Sequence, residues 1–91
     1  MVVMVLERVP ASVRGELTRW LLELHTGVFV GSVSALVRDK LWEMVCGKMG
    51  VGAGMLVHTA EGEQGFAIRY WGETRRTIED YDGLVLVRKP H

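Results

Sequence analysis

The chain has few of the residues that form disulfide bonds and metal sites. Its one cysteine, Cys46, has no partner for an intrachain disulfide, which fits a reducing compartment. The three histidines, His25, His58 and His91, have no metal-ligand spacing to one another or to Cys46. We therefore expect neither a disulfide-stapled secreted domain nor a structural zinc site. We interpret Cys46 as a small apolar side chain within a helix rather than as a nucleophile.

The chain also lacks an excess of either charge and any long hydrophobic run. Eleven lysines and arginines balance eleven acidic residues, so the formal net charge at pH 7 is zero. Nucleic-acid binding would therefore depend on local segregation of charge. The N-terminal run MVVMVL is too short for a membrane span and has no basic region before it. We expect a cytoplasmic protein that does not bind membranes.

Apolar residues, in contrast, are abundant. They make up 48% of the 91 residues, and a chain of this length buries only roughly 60–70% of its unfolded surface. One small core cannot easily hide that much apolar surface, so we predict a homodimer. We expect a single domain over residues 1–91, with a core in 1–71 and a basic loop and docking strand in 72–91.

The first half of the chain alternates between strand and helix patterns. The apolar run Val2–Leu6 predicts a strand near the middle of a sheet, covered on both faces. Pro10 suits the first turn of a helix that we expect to end at Gly27, which favours a left-handed cap. Val28–Val30 then predicts a short strand. The helix would bury one stripe at helical spacing: Val13, Leu17, Trp20, Leu21 and Leu24.

The second half predicts a helix and a hairpin. Ser32 is a suitable N-cap, and Trp42 lies off the apolar stripe of the helix, where it could face a partner. Met55–Ala60 and Phe66–Trp71 read as a β-hairpin. The predicted class is α+β, a ferredoxin-like sandwich with two helices on one face of a small, mainly antiparallel sheet. The stripe of the second helix is Val33, Leu36, Val37, Leu41, Met44, Val45 and Met49.

A long polar segment, GETRRTIEDYDG, follows the hairpin from Gly72 to Gly83. Ordered loops of this length tend to be functional. The guanidinium groups of Arg75 and Arg76 suit phosphate oxygens, so the pair is a candidate phosphate clamp. The alternative is that both arginines pair with acidic neighbours on a solvated surface. After this loop, Leu84–Val87 predicts a short strand that could add to a sheet edge.

Several sequence runs together resemble one known family. They are ERVPASVRGELTRWLLELHTGVFVGSVSALVRDKLWE and, further on, GFAIRYWG, ETRRT and DYDGL. The chain resembles the CRISPR-associated protein two family, in its type I-E branch. The resemblance covers nearly the whole chain without gaps. Its most specific parts are the succession WLLE, GVFVG and SALVRDKLWE, and the double arginine before DGL.

The resemblance implies a ferredoxin-like homodimer that bridges two dimers of the CRISPR-associated protein one integrase. The complex would hold double-stranded DNA for insertion as a new spacer, and this scaffold role requires no cofactor. Arg14, Arg75 and Arg76 match positions that contact the DNA backbone, while Arg8 and Arg38 lie close enough to assist. Relatives can carry another basic residue where this chain has Ser12, which implies a weaker grip near the first helix. The strand that would dock on the partner matches Leu84, Val85, Leu86 and Val87.

The family also implies an alternative, a magnesium-dependent endonuclease. Its acidic residue, Glu7 here, ends the first strand and faces its copy across the dimer axis. Two such carboxylates with a bound phosphodiester could hold Mg²⁺. The wider family usually has the shorter Asp at this position, and Glu7 could equally pair with Arg8. We therefore favour the adaptor. A third interpretation, a dimer that binds a small effector, lacks any glycine-rich phosphate loop.

Overall fold

The computed structural model of the chain describes residues 1–50 and 52–72. These residues form an α+β sandwich with a five-stranded antiparallel sheet in the order β2-β3-β1-β4-β5, which is a ferredoxin-like arrangement. The loop arginines Arg75 and Arg76 and the strand predicted at Leu84–Val87 lie outside the described residues. The elements are β1 Val2–Glu7, α1 Ala11–Leu17, β2 Leu22–His25, β3 Val28–Gly31, α2 Ala35–Lys48, β4 Ala53–Thr59 and β5 Phe66–Trp71.

The central position of β1 confirms the prediction from its apolar run. β1 pairs with β3 on one side and with β4 on the other. Its even-numbered residues, Val2, Met4 and Leu6, are buried in the core that α1 and α2 share with the sheet. Its odd-numbered residues Val3 and Val5 are only half-buried. Within the described residues of one protomer, elements cover only one face of β1, because both helices pack on that side of the sheet.

The first helix is shorter than its apolar spacing predicts. α1 ends at Leu17, and Leu22–His25 forms the edge strand β2, which pairs with β3. Trp20 and Leu24, expected in the buried stripe, are 50% and 62% exposed. This segment forms a strand rather than a longer helix because its pairing with β3 satisfies backbone N–H and C=O groups. A longer helix would leave the edge of β3 unpaired. Gly27 has the predicted left-handed conformation (φ +79°), but in the β2–β3 turn.

This correction changes the element order to βαββαβ followed by β5. The sequence pattern gave βαβαββ because the spacing of Leu17, Leu21 and Leu24 fits a helix as well as a turn followed by a strand. A short apolar segment does not decide between the two. Leu21 still reaches the core, since its N–H donates to the Leu17 carbonyl at 2.8 Å in the turn after α1.

The second helix starts later than predicted and buries its tryptophan. Ser34, not Ser32, caps α2, and its Oγ accepts the Val37 N–H at 3.2 Å. Leu36 is exposed, so it does not belong to the buried stripe. Trp42, expected to face a partner, lies in the core instead. Its ring packs beside Gly54 on β4, where a Cβ would make an ordinary contact of 3.6 Å with the indole.

The hairpin prediction is confirmed. β4 and β5 pair from Gly54 opposite Trp71 to Thr59 opposite Phe66. The turn is closed by a hydrogen bond from the Ala60 N–H to the Gly65 carbonyl at 3.0 Å. β5 is an edge strand that leads directly to Gly72. Within residues 1–50 and 52–72, no helix is long and apolar enough to cross a membrane.

Candidate nucleic-acid interface

The sheet has one apolar face that no element of the described chain covers. Antiparallel register places the odd-numbered residues of β1 on this face together with their partners on the neighbouring strands. We call it the open face. Leu22 on β2 is 65% exposed at one edge, and Tyr70 on β5 is 43% exposed at the other. Between them lie Val3, Val5, Val28, Val30, Met55, Val57 and Ile68, all half-buried.

Glu7 lies at the end of β1 on the side of the open face. It follows the same alternation as Val3 and Val5, and it is exposed. The next residue, Arg8, has φ 58° and is the one non-glycine residue with a positive φ in the described part of the chain. A left-handed backbone is unfavourable for such a residue, and strain of this kind concentrates at functional positions. The strand thus ends abruptly beside the Glu7 carboxylate.

Metal ligation at Glu7 would need groups beyond the described residues of one protomer. Among the described residues, no set of three histidine, cysteine, aspartate or glutamate side chains is close enough to hold a metal ion. Mg²⁺ can be bound by one or two protein carboxylates when phosphate and water supply the remaining oxygens. A site of which Glu7 is the described ligand could therefore combine this carboxylate with its copy in a second chain and a bound phosphodiester.

Arg14, a predicted DNA contact, is held by a carboxylate. Its Nε donates to Oε2 of Glu23 at 3.0 Å, and the same oxygen accepts the Gly27 N–H at 3.1 Å. The Gly27 hydrogen bond, followed by Arg14, holds the pKa of Glu23 below its usual value. The Arg14 side chain nevertheless remains 39% exposed. Glu23 therefore orients this guanidinium on α1 without shielding it from a ligand.

A second group of charges joins α2 to β5. Oδ1 of Asp39 accepts from Arg38 Nε at 3.0 Å and lies 3.1 Å from Arg69 Nη1. Arg38 Nη1 also lies 3.1 Å from His58 Nδ1. Hydrogen bonding from Arg38 is the main reason that the pKa of Asp39 is lowered, and Arg69 adds to it. We call Arg38, Asp39 and Arg69 the α2–β5 cluster.

The cluster changes the interpretation of Arg38 and adds a residue that the sequence pattern missed. The Arg38 side chain is only 15% exposed, so it is poorly placed to contact a ligand alone. Arg69, at 42%, is the accessible member. Alternation along β5 places Arg69 on the opposite side of the sheet from Ile68 and Tyr70, so it points away from the open face. What the sequence could not indicate was that Asp39, from a distant helix, meets it.

The basic positions in the described part of the chain are not gathered at one point of the protomer. Glu23, which holds Arg14, belongs to β2, and Arg69 belongs to β5. These strands form opposite edges of the sheet. With a strand spacing of about 4.8 Å, the two edges are about 19 Å apart. Arg8 and Glu7 lie between them at the end of β1. The structure therefore offers separate basic points along the molecule rather than one pocket.

The groove between the helices does not resemble a site for a small polar effector. It has a volume of about 380 Å³. Apolar side chains dominate its lining, and polar specificity for a small ligand would need several convergent donors and acceptors. Its residues are Trp20, Val37, Leu41 and Met44 with the charged Glu16, Lys40 and Lys48.

Comparison with known proteins identifies the family. Residues 1–86 match the family described as CRISPR-associated protein (Cas_Cas2CT1978). The chain belongs to this CRISPR-associated family. The matched range contains Glu7, Arg14, Arg75 and Arg76 as well as both helices and all five described strands. Membership of this Cas2-type family gives the chain a general role in CRISPR adaptation.

Proposed function

We propose that this CRISPR-associated chain is the non-catalytic, DNA-binding subunit of a type I-E adaptation complex. In this role a homodimer bridges two dimers of the CRISPR-associated protein one integrase and holds duplex DNA for insertion as a new spacer. The observation that carries the proposal is the separation of two surfaces. The open face is apolar, while Arg14 and Arg69 lie on the helix-bearing side of the sheet.

The uncovered apolar side chains of the open face support the proposal of a homodimer. Val3 and Val5 lie on the central strand, yet no described element covers their side chains. Apolar patches that extend across a whole sheet are characteristic of interfaces. A second copy would match this face with an identical one, as two-fold symmetry requires. In such a dimer the arginines of both copies remain on the outside.

The basic positions support binding of a duplex through its backbone. Arginine forks suit phosphate oxygens, and symmetry would double each position across the dimer. Arg14 is oriented and accessible, Arg8 lies at the end of β1, and Arg75 and Arg76 follow β5 in the sequence. Phosphate contacts fix the position of a duplex without reading its bases. We therefore propose binding that is independent of DNA sequence.

Docking on the integrase and a cytoplasmic location remain predictions. The docking strand is proposed at Leu84–Val87, which the match to the family includes in part. The lone cysteine fits a reducing cytoplasm.

The position of Glu7 favours a second candidate function, a magnesium-dependent endonuclease acting on RNA or DNA. Glu7 lies on the side of the open face, so a dimer formed through that face would bring its two copies towards the symmetry axis. A pair of carboxylates could bind Mg²⁺, which would polarise a phosphodiester and activate water. We rank this function below the adaptor, because one carboxylate per protomer is a sparse ligand set.

The adaptor role can be tested by reconstitution. The chain, the integrase and a duplex are mixed, the integrase is captured, and integration of the duplex into a CRISPR array is measured. We expect the chain to co-purify with the integrase and integration to require it. The double variant Arg75→Ala and Arg76→Ala should reduce integration while capture persists. Integration that proceeds equally well without the chain would refute the adaptor role.

A further inference from the structure

The arginines of this chain differ in how far their charge is neutralised. Arg14 has Glu23 as its own partner, and Arg19 has Glu16 at 3.5 Å. Arg38 and Arg69, in contrast, share the single carboxylate of Asp39. The α2–β5 cluster therefore carries one unit of positive charge more than its carboxylate can balance.

The geometry assigns the surplus to Arg69. Asp39 uses the same oxygen, Oδ1, for both guanidinium groups. Arg38 has a second neighbour in His58 and is largely enclosed. Within residues 1–50 and 52–72, Arg69 is bound through one terminal nitrogen, and it is 42% exposed. Because a guanidinium has five N–H donors, the described residues leave most of the hydrogen-bonding capacity of Arg69 for an additional acceptor.

We propose that Arg69 is a phosphate-contact residue for the bound duplex, and that Asp39 holds it in position while moderating its affinity. The inference rests on the proposed DNA-binding function and adds a site to it. Asp39 is an oxyanion on the exposed surface, so its pairing with Arg69 contributes little in water. A backbone phosphate presents the same kind of acceptor and can bind a guanidinium in a bidentate arrangement. It can therefore bind Arg69 together with the Asp39 carboxylate or in its place.

The location of Arg69 fits this role. Its strand partner is the buried Leu56, so Arg69 projects on the helix side of the sheet, opposite the open face. A dimer formed through the open face leaves it accessible in both copies. β5 also leads through Gly72 into the segment that carries Arg75 and Arg76. The contact would therefore extend the basic surface proposed for that segment onto β5.

The test uses two substitutions that break the same ion pair but change the charge in opposite directions. In the assembled complex with a duplex, Arg69→Gln should weaken binding roughly threefold to tenfold and lower the salt slope by about one per contacting protomer. Asp39→Asn keeps an oxygen acceptor but removes the negative charge, so it should strengthen binding. A purely structural ion pair predicts that both variants change binding in the same direction.

Arg19→Gln is the matched control, since it removes one exposed and paired arginine from the turn that follows α1. We expect its salt slope to equal that of the unmodified chain, and Arg69→Lys to restore part of the slope lost in Arg69→Gln. If Arg69→Gln binds like Arg19→Gln, or if Asp39→Asn weakens binding, the inference is overturned. If Arg69→Gln does not fold, the gain expected for Asp39→Asn decides the question. Absence of salt-dependent binding by the unmodified complex would instead refute the proposed function.

Discussion

Nε of Arg14 lies 3.0 Å from Oε2 of Glu23, and this contact ties α1 to the edge strand β2. The same carboxylate oxygen accepts the backbone N–H of Gly27, which closes the β2–β3 turn. One side chain thus joins a helix, an edge strand and a tight turn. It does so where the sequence predicted a continuous helix.

Stability should depend on pH through Glu23. Its pKa is lowered from an ordinary value of 4.5, first by the Gly27 N–H and then by Arg14. A group with a lowered folded-state pKa stabilises the fold above its unfolded pKa and loses this contribution as the pH falls through the folded value. The unmodified chain should therefore melt higher than Glu23→Gln at pH 7, and the difference should shrink below pH 4.5. A difference in melting temperature that is constant from pH 7 to pH 3 would contradict this.

Packing around Leu6 in the core should be sensitive to the size of residue 54. A Cβ at residue 54 would lie 2.5 Å from Leu6 Cδ2, so Gly54→Ala should overpack the core and cost about 1–3 kcal/mol of unfolding free energy. Gly47→Ala is the matched control, because nothing lies within 4 Å of a Cβ there and the residue is in α2. It should stabilise the chain by about 0.5–1 kcal/mol. Urea denaturation of both variants measures the difference; equal midpoints would refute the packing argument.

The dimer should depend on the open face. Sedimentation of the unmodified chain should give about twice the 10.2 kDa mass of one protomer. Tyr70→Glu and Val5→Asp each place a charge on that face and should yield monomers. Of the two variants, Tyr70→Glu should disturb folding less, since Tyr70 is exposed on an edge strand. Leu36→Asp, an exposed apolar residue on α2, should remain dimeric. A dimer that survives both face substitutions would place the interface elsewhere.

Duplex binding should follow backbone charge. Replacing Arg75 and Arg76 by alanine should lower the slope of log affinity against log salt by about two per contacting protomer. Titrations of the complex between low and physiological salt measure this slope. Duplexes of different sequence should give equal slopes. An unchanged slope would mean that acidic neighbours neutralise both arginines.

Substitution of Glu7 should distinguish the adaptor function from the nuclease function. Glu7→Gln removes the charge and keeps the size of the side chain, and we expect integration by the assembled complex to remain nearly intact. If the chain is a magnesium-dependent nuclease, the same change should remove cleavage by orders of magnitude while duplex binding persists. Loss of integration in a variant that still forms the dimer and binds the integrase would show that Glu7 does more than end a strand.

The sequence pattern correctly predicted the elements whose apolar periodicity extends over many residues or fits only one kind of secondary structure. β1, the β4–β5 hairpin and most of α2 follow from such patterns. The end of α1 does not, because the spacing of Leu17, Leu21 and Leu24 satisfies a helix until the edge of β3 requires a partner. Trp42 was misplaced for a related reason. Its ring packs in the core beside Gly54, a residue on a distant strand that the pattern within α2 does not reveal.

The sequence pattern placed two candidate arginines on helices but could not indicate their pairings. Arg14 and Arg38 lie on α1 and α2, as the helical patterns predicted. Their different accessibility depends on Glu23 and His58, which are far away in the sequence or on another element. Arg69 was missed because a single arginine in an alternating strand looks like ordinary solvated surface. Only the shared carboxylate of Asp39 distinguishes it.

The alternation along β1 has an evolutionary consequence. Substitutions at the even positions Val2, Met4 and Leu6 should affect whether one chain folds, whereas those at Val3 and Val5 should affect the homodimer that we propose. Insertion or deletion of one residue within this strand would exchange both sets at once. We therefore expect natural variants to preserve the length of β1 strictly, and to accept length changes in the turn that joins β4 to β5.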